Sequence, residues 1–196
     1  RVERHYAALF RDYQDLGAQG SLVFTGNDLH IDTEVTLREM GFKDPARIFN
    51  TVRIWHHGRY RATRSERSRQ LLTELMPQLL SALAKTANAD VAFIKMDEFL
   101  GRLPAGVQVL SLIHSNPNLL DLIAMVMGDA PSLADSLCRN PHLLDYVLTD
   151  EFDKPVEGAE TLLADLKHAL ADADHFEHVL DITRRWTNDH KFRLGV

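Results

Sequence analysis

Apolar residues recur at three- and four-residue steps along almost the whole chain, the spacing of one helix face, and no stretch alternates long enough to make a strand. Tyr6, Leu9, Phe10, Tyr13 and Leu16 predict a first amphipathic helix that Gly17 can close. From Ala18 to Ile31 the period lapses around Leu22-Val23-Phe24, which reads as loop. Val35, Leu37 and Met40 mark a short helix stopped by Gly41, and Asp44-Pro45 starts another that carries Ile48, Phe49, Val52 and Trp55 inward as far as Gly58. Ser65-Glu66-Arg67 opens what reads as the longest helix, with Leu71, Leu72, Leu75, Met76, Leu79, Leu80 and Leu83 on one face. Pro77 lies inside it, where the lost bond to the Thr73 carbonyl predicts a kink. A helix over about 89–102 buries Phe93, Met96, Phe99 and Leu100, and Pro104 begins the next, with Val107, Leu110 and Ile113.

Between Leu112 and Leu148 the pattern repeats itself. Asn116-Pro117-Asn118-Leu119-Leu120-Asp121 returns twenty-four residues later as Asn140-Pro141-His142-Leu143-Leu144-Asp145. Asn can accept from the free N–H groups of a first helical turn, and Pro at the first position lacks a donor that would be orphaned anyway. Each copy therefore predicts a helix entrance, with Asn116 and Asn140 as caps and Leu119, Leu120, Leu143 and Leu144 buried. Asp129-Ala130-Pro131 supplies a third entrance, so three short helices follow with almost no loop. Phe152 to Gly158 reads as a linker. Helices follow through Leu162, Leu163, Leu166 and Leu170, then through Phe176, Val179, Leu180, Ile182, Thr183 and Trp186 toward Phe192. The fold class is all-α: a multi-helix bundle of about ten helices, as one body or as two helical subdomains.

Composition narrows the class. Hydrophobic content of 45% and charged content of 26% are ordinary for a globular protein. No apolar run approaches the roughly 20 residues of a bilayer span, so no membrane partner is expected. The one cysteine, Cys138, cannot pair within the chain, which fits a reducing cytoplasm, and its leucine neighbours predict a small buried group. Arg1 in place of Met, and Val196 inside a helical pattern, read as the ends of a piece of something longer. A net charge of -6 argues against a general nucleic-acid binder, but the average hides an asymmetry. Six arginines stand between Arg53 and Arg69 against Glu66 alone, while eleven acids stand between Asp145 and Asp181 against Lys154 and Lys167, a balance of -9.

Three stretches could carry chemistry. Gly20-Ser21 followed by Asp32-Thr33-Glu34 has the bare spacing of a nucleotidyltransferase signature, whose carboxylates hold divalent metal from one face of a strand. Here the pattern after Asp32 is helical, so Asp32 or Thr33 as a cap, with Glu34 in the first turn, explains the same residues. Asp172, Asp174, His175, Glu177 and His178 gather possible metal ligands, with the two histidines on one helix face, but no second His or Cys cluster would complete a cage. The arginine-rich corner from Trp55 to Arg69 is the most loaded stretch. Arg61, Arg64 and Arg67 recur three apart beside a helix starting near Ser65, which makes a grip for an anion or a carboxylate. The plainer reading is a solvated corner whose Arg stems lie over Trp55 and Tyr60. Arg59, Arg61 and Arg64 are the candidate anion or partner contacts.

Taken together, several stretches resemble one family. They are Gly41-Phe42-x-Asp44-Pro45, Trp55-His56-His57-Gly58-Arg59-Tyr60-Arg61-Ala62-Thr63-Arg64-Ser65, Leu71 to Pro77, Leu103-Pro104-Ala105-Gly106-Val107-Gln108, Met127-Gly128-Asp129-Ala130-Pro131 and Arg139-Asn140-Pro141-x-Leu143-Leu144-Asp145. In order, and over essentially the whole chain, they resemble the bacterial bifunctional glutamine synthetase adenylyltransferase/adenylyl-removing enzymes. The resemblance implies two nucleotidyltransferase halves joined by helices, one removing AMP from glutamine synthetase and one adding it from ATP, both using magnesium or a similar metal and answering to PII signalling protein and glutamine. It places residues 1–103 in a helical domain closing the adenylyl-removing half, and 104–196 in a linker and the opening helices of the adenylylating half. The family's catalytic strands fall outside, so it implies no catalytic, cofactor-binding or metal-binding residue here. Two functions stay open: a connecting and regulatory segment of such an enzyme, inert alone, or a free-standing helical interaction module whose arginine corner grips an acidic partner.

Overall fold

The computed structural model describes residues 22–24, 28–144 and 158–195. The helix expected over 6–16, the Gly20-Ser21 pair and, except for Gly158, the linker expected over 152–158 lie outside these. Nine α-helices and one 3-10 turn occur among the described residues, and no strand. In chain order they are α1 (Ile31–Glu39), α2 (Pro45–His56), the turn Arg61–Thr63, α3 (Glu66–Ala84), α4 (Ala89–Arg102), α5 (Val107–Ser115), α6 (Pro117–Asp129), α7 (Pro131–Arg139), α8 (Ala159–Ala169) and α9 (Phe176–Gly195). The fold is all-α.

Capping explains where most of these begin. Asp44 accepts from the Arg47 N–H at 3.1 Å, Ser65 from Ser68 at 3.0 Å and Asn88 from Val91 at 3.2 Å, each relieving an orphan donor. α1 starts differently: His30 stands at its cap without a side-chain bond, and Asp32 and Glu34 lie in its first turn. Its buried face is Thr33, Thr36 and Leu37, whereas Val35 is exposed, contrary to its periodicity. The physical reason is Thr33, whose hydroxyl accepts from the Val23 N–H at 2.9 Å and donates to the Val23 carbonyl at 3.2 Å. That turns the threonine face inward and holds buried Leu22 and Phe24 in place, with Phe24 stacked on Phe49 at 6.2 Å.

Asn116 and Asn140 are not the caps the repeat predicts. No first-turn N–H reaches the Asn116 side chain; its Nδ2 donates backward to the Leu112 carbonyl at 2.9 Å, and Asn140 does the same toward Ser136 at 3.4 Å. With no loop residue to spare, Asn116 ends α5 as it begins α6, and the unsatisfied carbonyls of the preceding turn lie within its reach. The leucines behave as predicted: Leu119, Leu120, Leu143 and Leu144 are all buried. α3 runs unbroken through Pro77 but, at 19 residues, is one shorter than α9. α5 starts at Val107 behind Gly106, three residues later than Pro104 suggests, and leaves Val107 exposed.

Contacts divide the chain into two compact units, Arg1–Ala134 and Asp135–Val196. In the first, α6 lies against both α3 and α4, and α5 also packs on α3, so packing is continuous across residues 103 and 104. α6 presents Leu119, Leu120, Ile123, Ala124, Val126 and Met127 to that core. No single helix is long and apolar enough to cross a membrane; α5 and α6 are the most apolar pair, but they meet at 111°. The loops are tied as firmly as the helices. Gly41, at φ 102°, turns the chain so that Phe42 sits edge-on to Phe93 at 6.4 Å. The Asp90 carboxylate accepts from the Lys43 and Asp44 N–H groups, and Asp129 accepts from Ala87 at 2.8 Å.

In the second unit α8 buries no side chain and α9 buries only Phe192. Phe176 is 74% exposed and Leu163 52%, so their apolar spacing does not bury them among the described residues. The Trp186 indole N–H joins the two helices by donating to Asp165 at 2.6 Å. Cys138, in α7, is fully buried.

Two glycines in the first unit separate close approach from mere flexibility. A Cβ on Gly106 would lie 1.9 Å from the Ala62 carbonyl oxygen, while one on Gly101 would meet only the Tyr60 ring at 3.7 Å. Gly106→Ala should destabilise the protein by about 2 kcal/mol or more, because backbone must move, whereas Gly101→Ala should be neutral or gain up to about 1 kcal/mol from helix propensity. Urea midpoints of the two variants give the comparison, and equal midpoints would contradict it.

Candidate functional site

The arginine corner is built outward from one carboxylate that the chain's periodicity does not advertise. Asp97 sits on the α4 face between Phe93 and Leu100, where its Oδ1 accepts from the Trp55 indole at 2.7 Å and from the Tyr60 hydroxyl at 2.9 Å. Trp55 is fully buried and stacks on Phe93 at 5.2 Å, and the Tyr60 ring lies over Gly101. Among the described residues, a cation is recorded over one ring: Arg53, 5.6 Å from the centre of Phe49. Burial, the hydrogen bond to Asp97 and that carboxylate's charge push the Tyr60 hydroxyl up to about 12. The signal that could have found Asp97 is an acid on an otherwise apolar helix stripe.

Tyr60 leads directly into the 3-10 turn, whose Ala62 and Thr63 are fully buried while Arg59, Arg61 and Arg64 on either side are exposed. Arg69 reaches back from α3 to hold the turn, its Nη1 donating to the Arg64 carbonyl at 2.6 Å and the Thr63 carbonyl at 3.3 Å. Arg67 donates to Gln70 at 3.0 Å. The six arginines of this stretch thus divide: Arg53, Arg67 and Arg69 have partners, and Arg59, Arg61 and Arg64 make no ion pair among the described residues.

Beneath the corner, His56 has Nδ1 3.5 Å from the Thr73 hydroxyl. Burial first, then His57 and Arg69, lower its pKa from 6.5 to about 4, so it is neutral in the folded protein near pH 7.

The other candidate stretches stay apart from this corner. Asp32 and Glu34 stand on a helix, where Glu34 pairs with Arg38 at 3.0 Å and Asp32 lies 3.5 Å from His30. His175 and His178 do share a face, with ring centres 5.6 Å apart. Among the described residues, no three His, Cys, Asp or Glu side chains are grouped as a metal ion requires. An open cleft of about 320 Å³ lies beside Lys43, Arg47, Asn88 and Asp90, where Asp90 is already engaged by loop N–H groups.

Two outcomes follow from the groups under the corner. Asp97→Ala would leave two donors in or near the core without their acceptor, and should cost about 2 kcal/mol or more, with Asp97→Asn losing less because one oxygen remains; denaturant titration followed by tryptophan fluorescence measures both. For His56 the unfolded chain takes up a proton below about pH 6.5 and the folded one only below about 4. Its contribution to stability is thus intact above pH 6.5 and declines as the pH falls from 6.5 to 4. Melting temperature against pH should fall less steeply across that window in His56→Gln than in the unchanged protein.

Comparison with known proteins supplies what the geometry leaves open. No family model matches the chain, and no solved structure matches it. Curated relatives do match over its whole length. The chain is 45% identical over 196 residues to the bifunctional glutamine synthetase adenylyltransferase/adenylyl-removing enzyme of Brucella melitensis, covering 20% of that protein. It is 45% identical to the enzyme of that name from Mesorhizobium japonicum, again over 20% of its length, and 41% identical to that of Caulobacter vibrioides, over 19%. The chain spans about one fifth of the length of the curated relatives it matches. From its first residue to its last, the chain is thus homologous to a segment of the bifunctional glutamine synthetase adenylyltransferase/adenylyl-removing enzymes.

Proposed function

We propose that this chain serves as a non-catalytic helical connecting and regulatory segment of an enzyme that adds AMP to glutamine synthetase and removes it. The observation that carries this reading is what the resembling stretches do: they end as helix caps, loop ties and buried contacts, and the one acidic pair spaced like a nucleotidyltransferase motif stands on α1. A metal-triphosphate site needs carboxylates converging from a rigid scaffold on one face. Asp32 and Glu34, in the exposed first turn of a helix and engaged with His30 and Arg38, do not supply that.

In this proposal ATP and magnesium are handled by other parts of the longer polypeptide, PII signalling protein and glutamine bias the balance between its two activities, and the whole works in the cytoplasm. Residues 1–103 close the adenylyl-removing half and 104–196 lead into the adenylylating half. Because α5 and α6 share a core with α3 and α4, the first unit would not hinge at 103. The test is to incubate the chain with glutamine synthetase, radiolabelled ATP and magnesium. The synthetase should stay unlabelled, and pre-adenylylated synthetase should keep its AMP when phosphate is added. Metal-dependent labelling that disappears in Asp32→Asn would defeat the proposal.

A further inference from the structure

The backbone that carries Arg59, Arg61 and Arg64 is among the most constrained in the described chain. The Ala62 carbonyl is in contact with Gly106, Arg69 holds the carbonyls of Thr63 and Arg64, and Asp97 holds Tyr60. A 3-10 turn has about three residues per turn, so side chains at Arg61 and Arg64 superpose on one side. The side chains themselves are left to solvent. Elsewhere in the same unit some cations find acids, Arg38 with Glu34 at 3.0 Å, half-buried Lys95 with Glu98 at 3.1 Å and Arg102 with Glu98 at 2.7 Å, while the exposed Lys43, Arg47 and Lys85 stand apart from one another along the chain. Only at this corner does a fixed platform gather three exposed arginines for which no acid among the described residues answers. Like charges held together repel, and a preformed array loses little entropy when an opposite surface arrives.

We infer that Arg59, Arg61 and Arg64 form a docking surface for a carboxylate-rich patch on a partner protein. The choice of occupant rests on three observations. Guanidinium forks match carboxylates in pairs, which suits closely placed Asp and Glu side chains. The two large aromatic rings nearby are already engaged, Trp55 against Phe93 and Tyr60 against Gly101, which leaves little for successive nucleic-acid bases to stack on. A chain of net charge -6 also repels an extended polyanion, whereas a compact acidic patch meets the corner alone. The inference does not depend on which longer polypeptide carries the segment.

The experiment measures binding of a short fluorescein-labelled poly-glutamate peptide by anisotropy, at low and high salt, alongside thermal melts. Arg59→Gln/Arg61→Gln/Arg64→Gln should weaken binding at low salt by about tenfold or more, remove most of its salt dependence and leave the melting temperature nearly unchanged. Lys43→Gln/Arg47→Gln/Lys85→Gln removes the same charge from exposed positions elsewhere and should change binding far less. Equal weakening in both triple variants would reduce the effect to net charge and overturn the inference. So would tighter binding of a labelled single-stranded oligonucleotide of matched charge, or a corner variant that melts far below the unchanged protein with its peptide binding intact, since the arginines would then be internal struts.

Discussion

At residue 106 the chain has room for a hydrogen atom and nothing more, because the carbonyl of Ala62 occupies the space a side chain would need. This contact joins parts of the chain more than forty residues apart and fixes where α5 starts. From there α5 runs along α3, the chain turns by 111° at Asn116, and α6 is delivered against α3 and α4. The far end of α6 is fixed by a similar device. Gly128 lies so close to Thr86 that a Cβ would stand 2.4 Å from its hydroxyl, and Asp129 takes the next N–H, that of Ala87. The α5–α6 pair is therefore held at its start by Gly106 against the Ala62 backbone and at its end by Gly128 against the Thr86 side chain, and the leucines of α6 fill the space between. Burying each is worth roughly 1.5–3 kcal/mol, which the clamps direct to one register.

The sequence was most legible where one helix faces one core. The stripes of α3 and α4, the starts at Asp44 and Ser65, and the entrances at Pro117 and Pro131 follow from spacing and local hydrogen bonding alone. It was least legible where a polar group decides the face. Thr33 rotates α1 by binding Val23, a residue ten positions away that no periodicity reveals, and Val35 is left outside as a result. Asn116 has the right identity for a cap but serves the helix behind it, because adjacent helices without a loop compete for the same side chain. Of the corner, exposure of Arg59, Arg61 and Arg64 could be read from composition. Asp97 shows in the sequence only as an acid beside an apolar stripe, since its partners Trp55 and Tyr60 come from another part of the chain.

The stretches on which the family resemblance rests map onto these same joints. Gly41 and Phe42 shape the entry to α2, Asp44 caps it, Tyr60 through Ser65 form the turn and the cap of α3, Gly106 is the point of closest approach, and Gly128 and Asp129 clamp α6. None of these roles is chemical. They are the positions at which a helical body loses its geometry if one residue changes, which is why a resemblance carried by them says more about shape than about reaction.

The clamp at Gly128 and Asp129 also orders events during synthesis. Contacts of α6 with α3 and α4 are non-local in sequence and form only once all partners exist. Until residue 129 has left the ribosome, the faces of α3 and α4 that pack against α6 lack that cover. A nascent chain stalled or cleaved before that residue would display an oily groove of helical length and become a substrate for chaperones or for self-association, while one released just beyond it would already hold the means to close the groove.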